Sequence, residues 1–196
     1  TRVALSDDPN HFTIEDLSGL KDDVIDATKL LAQAPLNAIA FGCTSGSFVN
    51  GIKYDQKLIK QMEDIAKIPC TTTTTSVVEA FKALQVNTIA IATPYAEDVN
   101  ELAYQYFTDC GLDITNITGL GIRNDYKIST LDMELIYQMA MEVNTADAEA
   151  VFLSCTGLSA VPLIEVLEED LQNPFITSNQ ATFWHSLRLS QTGSKL

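Results

Sequence analysis

Two stretches of this sequence match each other and decide the fold that we predict: residues 38–47 read AIAFGCTSGS, and residues 150–159 read AVFLSCTGLS. Each begins with a short apolar run, which is typical of a strand buried on both faces of a parallel sheet. Each then passes through a small residue to a Cys-Thr pair, Cys43-Thr44 or Cys155-Thr156. The sequence is therefore interpreted as two similar halves, each with a cysteine at the end of a strand.

Strand-like and helix-like stretches alternate along the whole chain. Strands are predicted at the continuous apolar runs 36–41, 88–92 and 150–153. Helices are predicted where apolar residues recur at spacings of three and four, in residues 16–33, 54–67, 77–84, 97–110, 130–143 and 163–171. This alternation predicts a doubly wound α/β architecture with parallel sheets, in which ligands bind beyond the carboxyl ends of the strands. The two halves would form lobes that face each other across a cleft.

The match between the halves continues downstream of the cysteines. Residues 68–69 (IP) lead through a short run to Thr75-Ser76 and a helix, and residues 173–174 (NP) lead to Thr177-Ser178 and another helix. The five threonines of residues 71–75 are predicted as strand and turn, with hydroxyls of one face satisfied by water. Ser178 is predicted to cap the last helix.

Composition and charge exclude several classes of partner. The chain of 196 residues has 12 Lys and Arg against 26 Asp and Glu, a net charge of −14, which disfavours nucleic acid and anionic membranes. No apolar run approaches the roughly 20 residues that span a bilayer, and no secretory signal pattern opens the sequence. The spacing of the four cysteines favours reduced thiols, and two histidines make a zinc site unexpected. We therefore expect a cytoplasmic protein that needs no cofactor or metal.

The two Cys-Thr pairs suggest acid–base or nucleophilic chemistry. A thiol at a strand-to-helix turn lies near a helix N-terminus, which favours the thiolate. The backbone amides there, with the hydroxyls of Thr44, Ser45 and Thr156, could hold a carboxylate and stabilise charge developing on the adjacent carbon. Cys43 and Cys155 on opposite sides of a substrate could exchange protons on its two faces, or one could add to a double bond and later leave.

Other polar residues near predicted strand ends have two interpretations each. The Tyr95 hydroxyl could donate to a substrate oxygen, or the ring could pack on a neighbouring loop. Asn124 could donate an amide N–H, although asparagines in turns usually serve the backbone. Arg123 is either a carboxylate partner or a surface residue. Packing or surface positions are the preferred interpretation for Cys70, Cys110 and His185.

Five stretches resemble the aspartate/glutamate/hydantoin racemase superfamily, in the branch of maleate cis-trans isomerases and arylmalonate decarboxylases. They are FGCTSGS (41–47), ATPY (92–95), RND (123–125), FLSCTGL (152–158) and ITSNQATFWHSLR (176–188), in family order over nearly the whole chain. The two Cys-Thr motifs and the last stretch are specific, whereas ATPY and RND are weak alone. The pattern also resembles the ectoine-utilisation proteins described as racemases.

The resemblance implies two pseudo-symmetric flavodoxin-like lobes with the active site in the cleft between them. Residues 1–75 and 176–196 would form the first lobe and residues 76–175 the second, with the final helix packed on the first. Cys43 would be the nucleophile or first acid/base and Cys155 its partner on the opposite face. The substrate-binding residues implied are Thr44, Ser45, Tyr95, Asn124 and Thr156.

Departures from relatives narrow the activity that the resemblance implies. Arylmalonate decarboxylases keep only the second cysteine, with glycine at the first position, so Cys43 argues against decarboxylation. Glutamate racemases typically have a histidine soon after the second Cys-Thr, where this chain has Gly157-Leu158. Family members also begin with a strand and loop that carry a substrate-binding asparagine. This sequence starts at TRVALSDDPN, downstream of that segment, so either it is truncated or the first lobe differs.

The function expected from this resemblance is a cofactor-independent two-cysteine isomerase that acts on a small mono- or dicarboxylic acid, like maleate cis-trans isomerase. Two alternatives stay open: racemisation of an aspartate-type amino acid, as in ectoine breakdown, and a non-catalytic protein that binds a small acid on the same fold. An α/β enzyme of this size is expected to form a homodimer or homotetramer.

Overall fold

The computed structural model describes residues 1–6, 8 and 11–191, which form six strands and ten α-helices. The strands are β1 Ile39–Phe41, β2 Cys70–Thr72, β3 Thr88–Thr93, β4 Asp113–Gly119, β5 Ala150–Leu153 and β6 Phe175–Thr177. The helices are α1 Ile14–Gly19, α2 Lys21–Leu31, α3 Thr44–Phe48, α4 Ile52–Ala66, α5 Thr73–Leu84, α6 Glu97–Asp109, α7 Asp125–Ser129, α8 Met133–Val143, α9 Ile164–Leu171 and α10 Ser178–Gln191. None of these helices is long and apolar enough to cross a bilayer.

The strands form two parallel sheets. In the smaller sheet β1 pairs with β2, with Ile39 opposite Cys70. The larger sheet has four strands in the order β4-β3-β5-β6, and every neighbouring pair is parallel. The prediction of an α/β fold with parallel sheets is therefore confirmed.

The buried strands were predicted well and the edge strand was missed. β5 has the predicted limits and is buried at all four positions, and β3 extends one residue past its prediction. β1 begins only at Ile39, because residues 36–38 precede the pairing with β2. β4 was not predicted, since its sequence DITNITG contains no apolar run and its side chains are exposed or only partly buried. An edge strand of this kind carries no continuous apolar signal.

The five threonines of residues 71–75 were predicted as strand and turn, and the structure differs from this prediction in part. Only residues 70–72 form a strand, and Thr73 already begins α5, whose N-cap is Thr72. The hydroxyls also face protein rather than water: residues 71–74 are fully buried, and Thr73 Oγ1 donates to the Phe41 carbonyl at 3.3 Å. A threonine at an N-cap ends a strand and starts a helix in one step, because its hydroxyl accepts a free helix N–H.

The repeat predicted from the sequence is visible in the connections. β1 is joined to β2 through α3 and α4, and β5 to β6 through α9, and each pair leads directly into a helix. The correspondence proposed between Thr75-Ser76 and Thr177-Ser178 is wrong by three residues, because α5 starts at Thr73 and α10 at Ser178. These two helices pack against each other, and α10 also contacts β1 and β2.

The predicted helix limits need two further corrections. The helix expected over residues 16–33 is divided into α1 and α2, with Leu20 between them. The helix expected from Thr130 begins at Met133, because the Asp132 side chain caps it by accepting from Glu134 N–H. Neither change moves a residue of the Cys-Thr pairs, which follow β1 and β5 at the carboxyl ends of the sheets as predicted.

Candidate active site

Cys43 is the N-cap of the short helix α3. Its backbone is extended, and its Sγ accepts a hydrogen bond from Gly46 N–H at 3.4 Å. The Ser45 hydroxyl lies 3.9 Å from the same sulfur. A cysteine in this role does for the helix what serine or threonine usually does, so its sulfur is fixed toward the free N–H groups of the first turn.

Cys155 has a backbone conformation that is uncommon for a residue with a side chain. Its φ is +121°, in the region that favours glycine, and holding a non-glycine residue there costs of the order of 1–3 kcal/mol. Its Sγ accepts from Gly157 N–H at 3.4 Å, and its own N–H donates to Ser178 Oγ at 3.0 Å. The conformation thus places both the sulfur and the amide of Cys155 in defined contacts.

Hydrogen bonds join the two Cys-Thr segments to each other. The Thr156 hydroxyl donates to the carbonyl of Gly42, the residue before Cys43, at 3.0 Å. The Thr44 hydroxyl donates at 2.9 Å to Ser178 Oγ, the same oxygen that accepts the Cys155 N–H. The two cysteines, far apart in sequence, are therefore held side by side.

Ser178 was predicted to cap the last helix, and the structure corrects this. Thr177 performs that role, because its Oγ1 accepts Gln180 N–H at 3.1 Å. Ser178 is the first residue of α10 and is fully buried. Sequence reasoning missed its bridging role because a serine beside a helix start is usually explained by capping.

Tyr95 is buried close to the Cys155 thiol. Its hydroxyl is a hydrogen-bond partner of the Cys155 thiol. Negative charge on either cysteine would disfavour the ionised form of the phenol. Burial, the largest cause, raises the pKa of Tyr95 well above its usual value. The phenol therefore keeps its proton and can act as a donor.

The helix N-terminus was expected to favour a thiolate at each cysteine. Instead, the pKa values of both Cys43 and Cys155 are raised. Burial raises the pKa of Cys43, and the hydrogen bonds from Gly46 and Ser45 offset this only in part. Burial likewise raises the pKa of Cys155 to about 12, and negative charge on Cys43 adds to the effect. Loss of hydration outweighs the local donors, so the environment of both cysteines favours the thiol over the thiolate in the unliganded protein.

A cavity of about 470 Å³ opens beside Cys43 and the residues that follow Cys155. Its wall includes Gly42 and Cys43 from the first half and Thr156 and Gly157 from the second, together with Asp125. This volume lies in the range of small-molecule sites. Buried next to the wall, rather than lining it, are Thr44, Ser45 and Tyr95. Cys155 Sγ lies 3.5 Å from the position that a Cβ on Gly157 would occupy.

The remaining sequence candidates lie away from the thiols or are already paired. The Asn124 side-chain oxygen caps α7 by accepting Lys127 N–H at 2.7 Å. Arg123 forms an ion pair with Asp98, which accounts for its guanidinium without a ligand. His185 is partly buried in α10, as expected for a packed histidine. Cys70 is buried at the start of β2, and Cys110 caps the C-terminus of α6.

Asp125 is the residue in the cavity wall that sequence reasoning overlooked. It follows Asn124 in the RND motif, and only its neighbour was considered as a ligand. Asp125 lines the same cavity as Cys43, and its Oδ1 and Cys155 Sγ both lie within 4 Å of the position that a Cβ on Gly157 would occupy. After burial, negative charge on Asp125 adds to the raised pKa values of both cysteines. Within the described part of the chain, no group of three or more His, Cys, Asp or Glu side chains could hold a metal ion.

A comparison with models of known protein families shows to which family this chain belongs. A family model described as arylmalonate decarboxylase matches residues 10–195. The chain belongs to the arylmalonate decarboxylase family. The predicted relationship to arylmalonate decarboxylases and maleate isomerases is confirmed with it.

Individual members of the arylmalonate decarboxylase family and their neighbours are enzymes with different activities. The chain is 29% identical over 185 residues to arylmalonate decarboxylase of Bordetella bronchiseptica, covering 93% of this chain and 77% of that protein. It is 20% identical over 184 residues to maleate isomerase of Geobacillus stearothermophilus, covering 91% and 73%.

Solved structures of both kinds of enzyme share the fold. A liganded double mutant of arylmalonate decarboxylase superposes with a TM-score of 0.91 at 28% identity, covering 98% of this chain and 81% of that one. A mutant of maleate cis-trans isomerase from Nocardia farcinica, with a covalently bound succinylcysteine intermediate, gives 0.88 at 18% identity, covering 96% and 79%. The second likeness concerns the fold alone.

Proposed function

We propose that this protein is a cofactor-independent two-cysteine isomerase of a small carboxylic acid, of the maleate cis-trans isomerase type. The observation that carries the proposal is the pair of thiols, Cys43 and Cys155, which follow equivalent strands and are held together by the Thr156–Gly42 and Thr44–Ser178 hydrogen bonds. A reaction that only removes carbon dioxide needs one proton donor, whereas cis-trans isomerisation by addition and elimination uses a nucleophile and an acid.

The proposed reaction begins with Cys43. Its thiol releases its proton to solvent water on substrate binding. The thiolate sulfur then adds to one alkene carbon, so that a C–S bond forms while the π bond breaks and its electron pair moves to the neighbouring carbon. The Cys155 thiol donates its proton to the neighbouring carbon, which gives a saturated thioether. The central bond, now single, rotates. The Cys155 thiolate then removes a proton from that carbon, the alkene re-forms in the trans geometry, and the C–S bond breaks to return the Cys43 thiolate.

The two sulfurs have environments suited to different steps. Cys155, with a pKa raised to about 12, holds its proton strongly until a carbanion develops beside it, which suits the acid. Cys43 has hydrogen bonds from Gly46 and Ser45 that favour its charged form, which suits the nucleophile. Tyr95 donates to the Cys155 sulfur and would stabilise the thiolate left after proton transfer.

Carboxylate binding is assigned to groups next to the sulfurs. Cys43 lies at the start of α3, next to the free N–H groups of the first turn and to the Ser45 hydroxyl. Such donors stabilise charge that develops on a carboxylate when the adjacent carbon gains electrons. In this proposal Thr44 and Thr156 contribute through their backbone and by fixing the segments, because both hydroxyls already donate within the protein.

Turnover by purified protein tests the proposal. Maleate is incubated with the wild type, and loss of the cis-alkene signal with gain of the trans-alkene signal is followed by proton NMR. Cys43→Ser and Cys155→Ser should each lower kcat by at least about a hundredfold, because serine is a far weaker acid than cysteine. Cys110→Ser, which changes a cysteine outside the site, should keep wild-type activity.

Parallel incubations separate the competing functions. Deuterium exchange at the α-carbon of aspartate would favour the racemase, and release of carbon dioxide from an arylmalonate would favour a decarboxylase. Ligand-induced thermal stabilisation without any conversion would favour the non-catalytic binding protein. Full activity of Cys155→Ser on maleate would rule out the two-thiol scheme.

A further inference from the structure

Among the described residues, the wall of the cavity beside Cys43 holds one acidic side chain, Asp125. Asp125 lines the 470 Å³ cavity together with Cys43, Thr156 and Gly157. It also lines an adjoining cavity, with Tyr126 and Ser129 among its neighbours there. The carboxylate therefore stands where the two cavities meet.

The surroundings of Gly157 show that the Asp125 carboxylate lies near the Cys155 sulfur. A Cβ built on Gly157 would lie 3.5 Å from Cys155 Sγ and 3.8 Å from Asp125 Oδ1. The glycine therefore leaves open the space that separates the two. A molecule that reached the Cys155 sulfur beside Gly157 would also come within a few ångströms of the Asp125 carboxylate.

The Asp125 carboxylate is not committed to another contact among the described residues. The cap of α7 comes from Asn124, and no hydrogen bond or ion pair of the described residues involves the Asp125 carboxylate. Arg123, two residues before it, is paired with Asp98, and Lys127, two residues after it, forms no ion pair with it among the described residues. The other charged side chain in the cavity wall is Arg2, which is exposed and forms no ion pair with Asp125.

An unpaired carboxylate in a partly enclosed site discriminates by charge. It repels a second carboxylate on the ligand, and it accepts a hydrogen bond from an amide, hydroxyl or ammonium group in the same place. Such a carboxylate favours a ligand that ends in a hydrogen-bond donor, and it disfavours a ligand that ends in a second carboxylate. Both effects contribute to specificity.

We propose that Asp125 is a specificity-determining residue, which selects substrates with one carboxylate and a hydrogen-bond donor at the other end over dianionic dicarboxylates. The proposal rests on the proposed function, since it concerns the same site. The favoured substrate class is the half-amide of a cis-alkene diacid, in which a carboxamide N–H would face Asp125.

Binding of unreactive analogues tests this inference independently of turnover. Succinate and its half-amide succinamate, which have no double bond, are titrated calorimetrically into the wild type and Asp125→Asn. The wild type should bind succinamate at least about tenfold more tightly than succinate. Asp125→Asn should lose most of this preference, mainly through tighter binding of succinate.

A matched variant controls for the change in total charge. Asp113→Asn removes one negative charge at an exposed position at the start of β4 and should leave the ratio of the two affinities unchanged. Thermal unfolding of Asp125→Asn shows that the variant is folded. It also measures the separate contribution that an acidic residue makes in the first turn of a helix.

Three results would overturn the inference: equal or tighter binding of succinate by the wild type, a ratio unchanged in Asp125→Asn, or no binding of either analogue. Turnover of maleate and maleamate is measured separately. If the wild type isomerises both equally well, the proposed function stands and the role of Asp125 is rejected. If the affinities behave as expected while no alkene is converted, the role of Asp125 stands and the isomerase is rejected.

Discussion

At the scale of single residues, Cys155 combines a reactive side chain with an unfavourable backbone. Its φ of +121° suits glycine, yet the position carries the thiol that the proposed reaction needs. Strain of this kind persists where surrounding contacts hold it, here the hydrogen bonds from Gly157 N–H and to Ser178 Oγ. No sequence pattern predicts it, because a Cys-Thr pair after a strand is compatible with ordinary turn conformations.

Replacing Cys155 by glycine or by alanine separates strain from chemistry. Both variants lack the thiol and should be inactive. Cys155→Gly should be more stable than Cys155→Ala by about 1–2 kcal/mol, because glycine adopts the observed φ without a steric cost. Urea denaturation measures the difference. Equal stabilities would mean that the backbone relaxes when the side chain is shortened, and that the conformation costs little.

At the scale of elements, the start of α10 organises the site. Ser178 receives hydrogen bonds from Thr44 and from the Cys155 amide, so one helix start fixes both Cys-Thr segments. The equivalent start of α5 has Thr73, which donates to the Phe41 carbonyl. Each helix thus uses its first residue to hold the end of a strand.

Removing the Ser178 hydroxyl tests this role. Ser178→Ala leaves the buried Cys155 N–H without its acceptor, and it should lower the free energy of unfolding by about 1–3 kcal/mol. It should also lower kcat on the substrate of the wild type, because Cys155 is less well positioned. Ser190→Ala on the same helix removes a hydroxyl that, among the described residues, donates to the Leu187 carbonyl of its own helix, and it should change both quantities little. Unchanged kcat in Ser178→Ala would show that the hydrogen bonds serve stability alone.

The elements also show what could be predicted from the sequence. The buried strands β3 and β5 and the helices α4, α6 and α9 follow apolar periodicity closely, so their positions were found within a few residues. The edge strand β4 and the short helices α3 and α7 were missed, because polar side chains and local caps determine them. The cysteines were located by the repeat, whereas the contacts of Ser178 and Asp125 depend on tertiary packing that no local pattern records.

At the scale of the whole molecule, a buried carboxylate joins three helices. Asp55 of α4 accepts hydrogen bonds from Thr75 of α5 at 2.7 Å and from Tyr106 of α6 at 2.9 Å. Burial, the largest cause, raises the pKa of Asp55 despite these donors. No local sequence pattern indicates this cluster, since aspartate on a helix normally faces water.

The stability of the protein should therefore depend on pH through Asp55. Because its pKa is higher in the folded state than the unfolded value of about 3.8, the native state binds this proton first, and the free energy of unfolding falls as pH rises through that window. Asp55→Asn keeps an oxygen acceptor and cannot titrate. Between about pH 7 and about pH 4.5, the wild type should gain stability relative to Asp55→Asn as the pH falls. Parallel lines for the two proteins in urea denaturation would contradict this.

The division of the molecule into lobes stays a prediction. The proposed boundaries assign residues 1–75 and 176–196 to one lobe and residues 76–175 to the other. β6, which spans the second boundary, pairs with β5 in the four-stranded sheet, while α10 directly after it contacts β1 and β2. The chain thus passes between the two sheets within a few residues of Thr177.

The hydrogen bonds across the Cys-Thr segments restrict how a ligand can arrive. Hinged opening that drew the ends of β1 and β5 apart would break the Thr156–Gly42 and Thr44–Ser178 contacts and expose buried Tyr95 to water. Entry through the cavity whose wall includes Asp125 and Gly157 leaves all of these contacts intact. Motion that serves catalysis is then expected where the ligand enters the cavity. The two Cys-Thr segments are expected to keep their positions throughout the reaction cycle.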